Sequence, residues 1–379
     1  MANTLTTLQP ILFSAAQTVS AEPFGAVDAI NTSFDDKAVA KGDVVKVPVA
    51  PTRAAADFTP SNVSATGVDA TAADVEVQIT KSRKVSWHLT GEQQRSLDNG
   101  ATSAEWVRQL IAQGMRTLRN EAETDAVNAI YTGASYAVGT AGTNPFATNI
   151  NPLADVRKVL RDNGAPLSDM QFVMDTTSEA NLLKLGVVQS ADTAGSDGER
   201  RSGFVGRQYG FELRQSAGID LHTKGAGVGY DANGGEAIGA TTITLDGGTV
   251  NTTGIKAGDI VTFAGDTTKY VVNTGSVAVA GDIAIGKPGL KATLADTVEM
   301  TIGNDYTPNM AFDRGAVVGV MRPPLMPANP TIQQMLVSDG MGMTYLMLDI
   351  SQYGQRTWEL HLAWGFKAVQ PEHIAILLG

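Results

Sequence analysis

The strongest constraint on the fold of this chain is a proline-free helical pattern over residues 102–133. Apolar residues recur there at steps of three and four from Trp106 to Ile130, a spacing that is typical of a helix with one buried face. Thr102 and Glu105 form a capping box at the start of this pattern. We predict a helix of about 30 residues, roughly 45 Å long at about 1.5 Å per residue, whose apolar stripe lies in the core.

The residues before this helix predict an extended β-hairpin at residues 41–91. Valines alternate with polar residues in KGDVVKVPVA at 41–50, and VEVQITKSRKVSWHL at 75–89 alternates in the same way. The stretch between them is too polar to form a core and too long for a hairpin turn. A long two-stranded ribbon is only marginally stable in water, so we expect this one to reach away from the body and to be covered by a neighbouring subunit.

Charged residues and one tryptophan decorate this hairpin. They are interpreted either as complementary contacts for a neighbouring subunit or as the surface of a soluble hairpin whose lysines discourage edge-to-edge pairing. The candidates for subunit contact are Arg53, Asp57, Lys81, Arg83, Lys84 and Trp87.

The segments after the long helix alternate between helix and strand signals and then change to short strands. Asn151 is predicted to cap a helix before Pro152, and Thr176 forms a capping box with Glu179 at the start of the next helix. Between residues 224 and 305, short β runs separated by Gly, Asp and Asn predict a small β-barrel or sandwich inserted into the α/β frame. The chain closes in apolar, strand-rich segments that are typical of a central sheet.

Charge and composition exclude several classes of protein. The 379-residue chain has a formal net charge of −11, which argues against a surface that wraps nucleic acid. It has no cysteine, which excludes disulfides and thiolate metal sites. No apolar run reaches the roughly 18 residues of a membrane span, so we expect no membrane association.

No pattern in the chain predicts catalysis. The glycines at 225, 227 and 229 lack the spacing and the following helix of a dinucleotide-binding loop. Four histidines lie far apart in the sequence, and acidic residues on the long helix are expected to form solvated charge pairs on its polar face. These residues are His88, His222, His361 and His373, and Glu121, Glu123 and Asp125. We therefore predict that the protein is not an enzyme and has no catalytic residues, no cofactor and no metal site.

Three stretches of the chain resemble the major capsid (coat) protein of tailed bacteriophages. They are TTGIKAGDIVTFAG at 252–265, FDRGAVVGVMRPPLMPA at 312–328 and LDISQYGQRTWELHLAWGFKAVQPEHIAILLG at 348–379. The resemblance is to the branch of the short-tailed Salmonella phage coat protein, which has an inserted β domain. The early hairpin and the long helix correspond in order to that family's extended loop and spine helix. These are packing and turn motifs, so they indicate a family without marking a site.

The resemblance implies an α+β protein with the tailed-phage major capsid fold (Hong Kong 97 type) and an inserted small β-barrel or sandwich domain. Its parts would be an N-terminal arm (1–40), an extended β-hairpin loop (41–91), the spine helix and peripheral domain (92–150), the first part of the axial domain (151–223), the inserted β domain (224–305) and the C-terminal strands of the axial and peripheral domains (306–379).

The resemblance also implies a function. Subunits of this family self-assemble as pentamers and hexamers into an icosahedral shell around the phage genome. The implied partners are other copies of the chain, a portal protein and packaged double-stranded DNA, which is enclosed without specific binding. Because the chain begins almost directly at the arm, we also expect a separate scaffolding protein. The implied location is the virion capsid, assembled in the host cytoplasm.

Two other classes of function remain open from the sequence. The Gly- and Thr-rich strands also suit a secreted or surface-layer β-rich adhesion module, although the chain shows no signal peptide. The other class is an enzyme whose site converges from residues that are distant in the sequence.

Overall fold

The computed structural model describes residues 14–16, 25–32, 40–49, 55, 57, 73–99, 103–186, 206–249, 254–276, 279–327, 332–338 and 343–379. The predicted α+β class is confirmed. The helices are α1 (Gly25–Ala29), α2 (Gly91–Asn99), α3 (Ser103–Thr132), α4 (Pro152–Asp162) and α5 (Thr176–Lys184).

Most strands are short. They are β1 (Val44–Val49), β2 (Ala73–Gln78), β3 (Lys81–Thr90), β4 (Tyr136–Gly139), β5 (Met170–Met174), β6 (Arg207–Gln208), β7 (Phe211–Gln215), β8 (Tyr230–Ala232), β9 (Thr242–Asp246), β10 (Ile260–Phe263), β11 (Lys269–Thr274), β12 (Gly281–Ile285), β13 (Glu299–Ile302), β14 (Pro308–Asp313), β15 (Val317–Arg322), β16 (Ile332–Ser338), β17 (Thr344–Gln352), β18 (Gln355–Ala368) and β19 (Ile374–Leu378). The longest are β3, β17 and β18.

The long helix α3 is confirmed as a single element of 30 residues. Its apolar stripe, from Ile111 to Ile130, is buried in the largest apolar cluster of the molecule. The helix ends against a strand so closely that a Cβ atom at Gly133 would lie 2.3 Å from that of Ala368, which explains why glycine follows it. Thr102, the first residue of the predicted capping box, lies outside the described residues.

Strand β18 organises the sheet that packs on α3. It pairs with β15 and β17 along one side and with β3 along the other, and β16 adds to β17, all antiparallel. Successive residues of a strand point to opposite faces of a sheet. The face that carries Leu360, Leu362 and Trp364 is buried in the same cluster as α3. We call the opposite face, which carries Glu359, His361 and Ala363, the outer face.

Six strands between residues 230 and 302 close on themselves. Hydrogen-bonded neighbours run in the order β10, β13, β8, β9, β12 and β11, and β11 pairs back to β10. The interior holds buried side chains such as Phe263, Tyr270 and Ile283. This segment is therefore a closed antiparallel barrel, which has no free strand edge of its own.

The barrel continues into the central α/β sheet by backbone hydrogen bonding. Strand β11 also pairs with β4 through Tyr270 and Tyr136, and the sheet then runs β19, β14, β5, β7 and β6. Helices α4 and α5 cover this part with a core of their own. The division of the chain into domains stays a prediction.

Three local predictions are wrong. The return strand expected at 75–89 breaks after Gln78, and Lys81 begins a new strand in another sheet. Asn151 has a helical backbone and its side chain does not cap α4. The cap of α5 is Asp175 instead of Thr176, because the Asp175 carboxylate accepts hydrogen bonds from the backbone amides of residues 177 and 178.

Candidate subunit interface

Strands β1 and β2 form a two-stranded ribbon with one apolar face. Val45 lies opposite Val77, and Val47 lies opposite Val75, so valine side chains meet across the pair. Val77 is fully buried, whereas the other three are only partly buried. The apolar face of the ribbon is thus covered at one end and half open along the rest.

The covered end of the ribbon packs on the outer face of the β18 sheet. Val77 and Ile79 contact a small cluster that includes Val318 and Val320 of β15. A Cβ atom at Gly365 would lie 2.0 Å from the Gln78 carbonyl oxygen, so only glycine permits this approach. The base of the ribbon is therefore fixed to the body of its own subunit.

Lys81 and Arg83, two of the predicted contact residues, lie on β3, which follows the ribbon in the chain, and both contact α3. Lys81 Nζ lies 2.8 Å from Asp125 Oδ2, and Arg83 Nε lies 2.8 Å from Glu121 Oε1. The hydrogen bond that Lys81 donates to the Asp125 carboxylate raises the pKa of Lys81 above its ordinary value. Because these groups are partly exposed, each pair stabilises the fold by no more than about 1 kcal/mol. Asp125 also accepts a hydrogen bond from Trp364 Nε1 at 2.8 Å.

The remaining candidates are dispersed. Lys84 lies on the outer face and pairs with Glu359 at 2.9 Å. Trp87 is partly buried, and its ring would lie 3.2 Å from a Cβ atom at Gly114 of α3. Asp57 is exposed, and Arg53 lies outside the described residues. The structure thus does not bring the six into one cluster, and their role in contacts between subunits stays a prediction.

A buried carboxylate that the sequence analysis misassigned holds the N-terminal segment. Glu123 is 3% exposed and does not belong to a solvated charge pair. Its oxygens accept hydrogen bonds from the amides of Ala26 at 2.7 Å and Val27 at 2.9 Å, and from Ser216 Oγ at 2.6 Å. This carboxylate satisfies amides at the start of α1 that have no partner within the helix.

An arginine one turn before Glu123 on α3 holds the same segment. The side chain of Arg119 is fully buried, and it pairs with Asp28 of α1 at 3.3 Å. Residues 25–32 are therefore ordered against the chain's own body. The four-residue spacing of Arg119 and Glu123, beside the apolar stripe of α3, was the available sequence signal for this anchor.

A cavity of about 360 Å³ lies where α3 meets the barrel. His222 lies in its wall, with Nε2 2.8 Å from Asp259 Oδ1 and Nδ1 3.4 Å from the Tyr131 hydroxyl. The fully buried Asp259 carboxylate also accepts from the amides of Gly225 and Lys256. Burial, more than the nearby Asp259, raises the pKa of Tyr131 above its ordinary value. Every polar atom named here has a hydrogen-bond partner within the protein. This arrangement is typical of a structural contact between two elements.

Over the described part of the chain, no group of three or more His, Asp and Glu side chains is arranged to hold a metal ion. Among the helices that the structure describes, none is long and apolar enough to cross a membrane.

Comparison with known proteins gives matches only among solved structures. No family model and no curated protein matches the chain. A structure from Mycobacterium phage Che8 is similar over 92% of this chain and 94% of its own, with 12% identity and a TM-score of 0.47. The capsid of the cyanophage P-SCSP1u is similar over 92% and 90%, with 11% identity and a TM-score of 0.47. The mature capsid of bacteriophage PhiM1 is similar over 92% and 89%, with 11% identity and a TM-score of 0.46. At identities this low, the similarities carry no information on function.

Proposed function

We propose that this protein is a shell-forming subunit, the major capsid protein of a tailed bacteriophage. The observation that carries the proposal is the ribbon of β1 and β2, whose valine face is buried only at its base. A two-stranded ribbon with an open apolar face is marginally stable alone. Burial of that face by a neighbouring copy would remove the valines from water, at about 25 cal/mol for each Å² of apolar surface.

The rest of the molecule supports the same reading. Helix α3 and the sheet around β18 form a continuous core, which gives a rigid body from which the ribbon can be presented. The N-terminal segment is anchored to that body through Glu123. Three sequence stretches, 252–265, 312–328 and 348–379, resemble the tailed-phage coat protein, and their described residues lie in the barrel and in the strands around the central core.

The complete proposal follows the resemblance. Copies of the chain form pentamers and hexamers of an icosahedral shell, with the Hong Kong 97 type of fold and the barrel as an inserted domain. A separate scaffolding protein directs assembly in the host cytoplasm, a portal protein occupies one vertex, and double-stranded DNA is enclosed without specific binding. Each interface is of modest size, and the closed symmetry sums many of them.

Deletion of residues 55–72 tests the proposal. We expect the variant to remain a soluble, folded monomer but to form no stable shells, because the deleted surface serves neighbouring copies. Sedimentation velocity and electron microscopy of the co-expressed protein give the readout. A matched deletion of residues 190–203, far in sequence from β1 and β2, should leave the shells intact.

Three outcomes of this experiment contradict the proposal. Normal particles from the 55–72 deletion would show that the segment between β1 and β2 is not needed for shells. Sheets or fibres from the unmodified chain would favour an adhesion module. Small discrete oligomers with measurable turnover of a substrate would favour an enzyme.

A further inference from the structure

Arg322, the last residue of β15, is a buried cation that has no counter-ion among the residues that the structure describes. The residue is 8% exposed, and its Nε atom is buried with no hydrogen-bond partner. Among the described residues, no carboxylate lies within ion-pair distance of its guanidinium group. A buried charge without a partner loses its hydration, which costs on the order of several kcal/mol. An arginine at this position is therefore unfavourable for an isolated subunit.

The position of Arg322 places it on the outer face of the sheet. Val318, Val320 and Arg322 alternate along β15 and therefore point to the same side. The two valines are covered by the base of the chain's own ribbon. Arg322, opposite Ala363 of β18, is the next residue in that row. The base of the ribbon of the same copy thus covers the apolar part of the row, and Arg322 at its end supplies the charge.

Glu359, the acidic residue of β18 on this face, is already paired. Glu359 accepts from Lys84 Nζ at 2.9 Å through one oxygen and is 3.1 Å from His361 Nε2 through the other. His361 lies two residues from Ala363, which is opposite Arg322. Burial lowers the pKa of His361, so this imidazole is neutral near pH 7. The group of Lys84, Glu359 and His361 is thus close to electrically neutral, and Arg322 adds an uncompensated positive charge.

Large apolar side chains near this face are also exposed. Leu336 of the edge strand β16 is 63% exposed, and Leu325, three residues after Arg322, is 70% exposed. Leu336 lies opposite Leu346, which lies opposite His361, so the leucine and the polar group share one face. The centres of protein interfaces often contain an arginine that is shielded from water and surrounded by apolar side chains.

We infer that the outer face around Arg322 is a docking site for an Asp or Glu carboxylate presented by a second copy of this chain. The inference rests on the proposed function. Charge complementarity identifies the occupant, because the chain has 39 acidic and 28 basic residues and every copy presents carboxylates in excess. Asp57 and Asp74 of the ribbon segment are exposed examples. Arginine suits the role because its planar guanidinium group can bind a carboxylate through two parallel hydrogen bonds.

Substitution of Arg322 distinguishes a partner in the same chain from a partner in another copy. In Arg322→Met, the unassembled subunit should unfold at the same temperature as the wild type or at a higher one, because an unpaired buried charge has been removed. The critical concentration for assembly should rise by about tenfold or more, because the carboxylate of the second copy then stays unpaired. Arg322→Lys, which keeps the charge without the two-pronged geometry, should give an intermediate value. Arg161→Met, at an exposed position, is the matched control and should change neither quantity.

Several results would overturn the inference. If Arg322→Met lowers the unfolding temperature of the monomer by several degrees while assembly is normal, the partner lies in the same chain. If added phosphate or acetate raises the unfolding temperature of the wild type only, and Arg322→Met assembles normally, the residue binds small anions. Unchanged values for both quantities would also refute it.

The failure of the proposed function has a different signature. One outcome is that the unmodified chain forms no shells, while sedimentation equilibrium shows dimers or rings that Arg322→Met weakens. That result would support the docking site and contradict the proposed shell. If the unmodified chain forms shells and Arg322→Met forms them equally well, the proposed shell is supported and the docking site is contradicted.

Discussion

The barrel and the ribbon are both built from short strands rich in Val, Ile and Thr, yet they bury their apolar residues differently. In the barrel, every strand has at least two hydrogen-bonded neighbours, and Val261, Val272 and Ile283 are at most 1% exposed. In the ribbon, each strand has one neighbour within the described residues, and Val47 is only partly buried. Closure removes free edges, whereas an open pair requires an external partner.

This difference separates two kinds of stability. The barrel contributes to the folding of a single subunit, because its strands pair with one another and with β4 of the same chain. The ribbon contributes little to the single subunit and, on the proposed function, much to assembly. Substitutions in the two regions should therefore change different measurements.

The largest effect on folding is expected in the barrel interior. Phe263→Ala should lower the free energy of unfolding by about 3–5 kcal/mol, because the ring is 3% exposed and its loss leaves a cavity. Urea denaturation of the unassembled subunit measures this quantity. A loss below about 1 kcal/mol would mean that the barrel interior is loosely packed, and the comparison with the ribbon would fail.

An intermediate effect with a distinct pH dependence is expected at Tyr270. Its hydroxyl donates to Asp266 Oδ2 at 2.5 Å and accepts from the Lys291 amide at 3.0 Å. Burial, followed by the hydrogen bond to Asp266, raises the pKa of Tyr270 from 10.0 to about 12. The neutral phenol therefore stabilises the fold fully below pH 10, and this stabilisation is lost as the pH rises through 12.

Tyr270→Phe should lower the free energy of unfolding by about 1–2 kcal/mol at pH 7, because a hydrogen bond to a charged group is removed. It should also show a smaller loss of stability between pH 10 and 12 than the wild type. Thermal unfolding across that range measures both effects. Tyr209→Phe, at an exposed tyrosine, is the control and should follow the wild type. Identical slopes for Tyr270→Phe and the wild type would show that the phenol does not titrate in this window.

The smallest effect on folding is expected in the ribbon. Val47→Thr should lower the free energy of unfolding of the monomer by only about 0.5 kcal/mol, because the side chain is half exposed. Shell yield by electron microscopy should nevertheless fall clearly, since a hydroxyl is then buried against the neighbouring copy. Lys46→Thr, on the polar face of the same strand, should leave the yield unchanged. Equal yields for both variants would contradict the assignment of the valine face to a subunit contact.

Patterns of short range were predicted well from the sequence. The 30-residue helix α3 follows from apolar spacing, and β1 and β2 follow from alternation. The strand predicted at 75–89 was too long, because VEVQITKSRKVSWHL alternates without an obvious break and the structure divides it into β2 and β3. The second half of this stretch, β3, pairs with β18, which lies about 270 residues later, and nothing in the local pattern predicts that pairing.

The candidate interface was predicted only in part. Lys81 and Arg83 were placed on a projection, but they pair with α3 because β3 belongs to the body. Glu123 was interpreted as a solvated residue, yet it is buried against α1. Arg322 had no sequence signal, because an unpaired buried charge is visible only when its surroundings are known.

By itself the sequence determined the periodic elements, the α+β class and the resemblance to a coat protein, since each depends on residues a few positions apart. Only the tertiary structure decided that the barrel closes, that the return strand divides at Gln78, and that Glu123 and Arg322 are buried. The physical reason is that strand pairing and burial are set by contacts between distant segments. Many such contacts are compatible with one local pattern, and the packing of the whole chain selects among them.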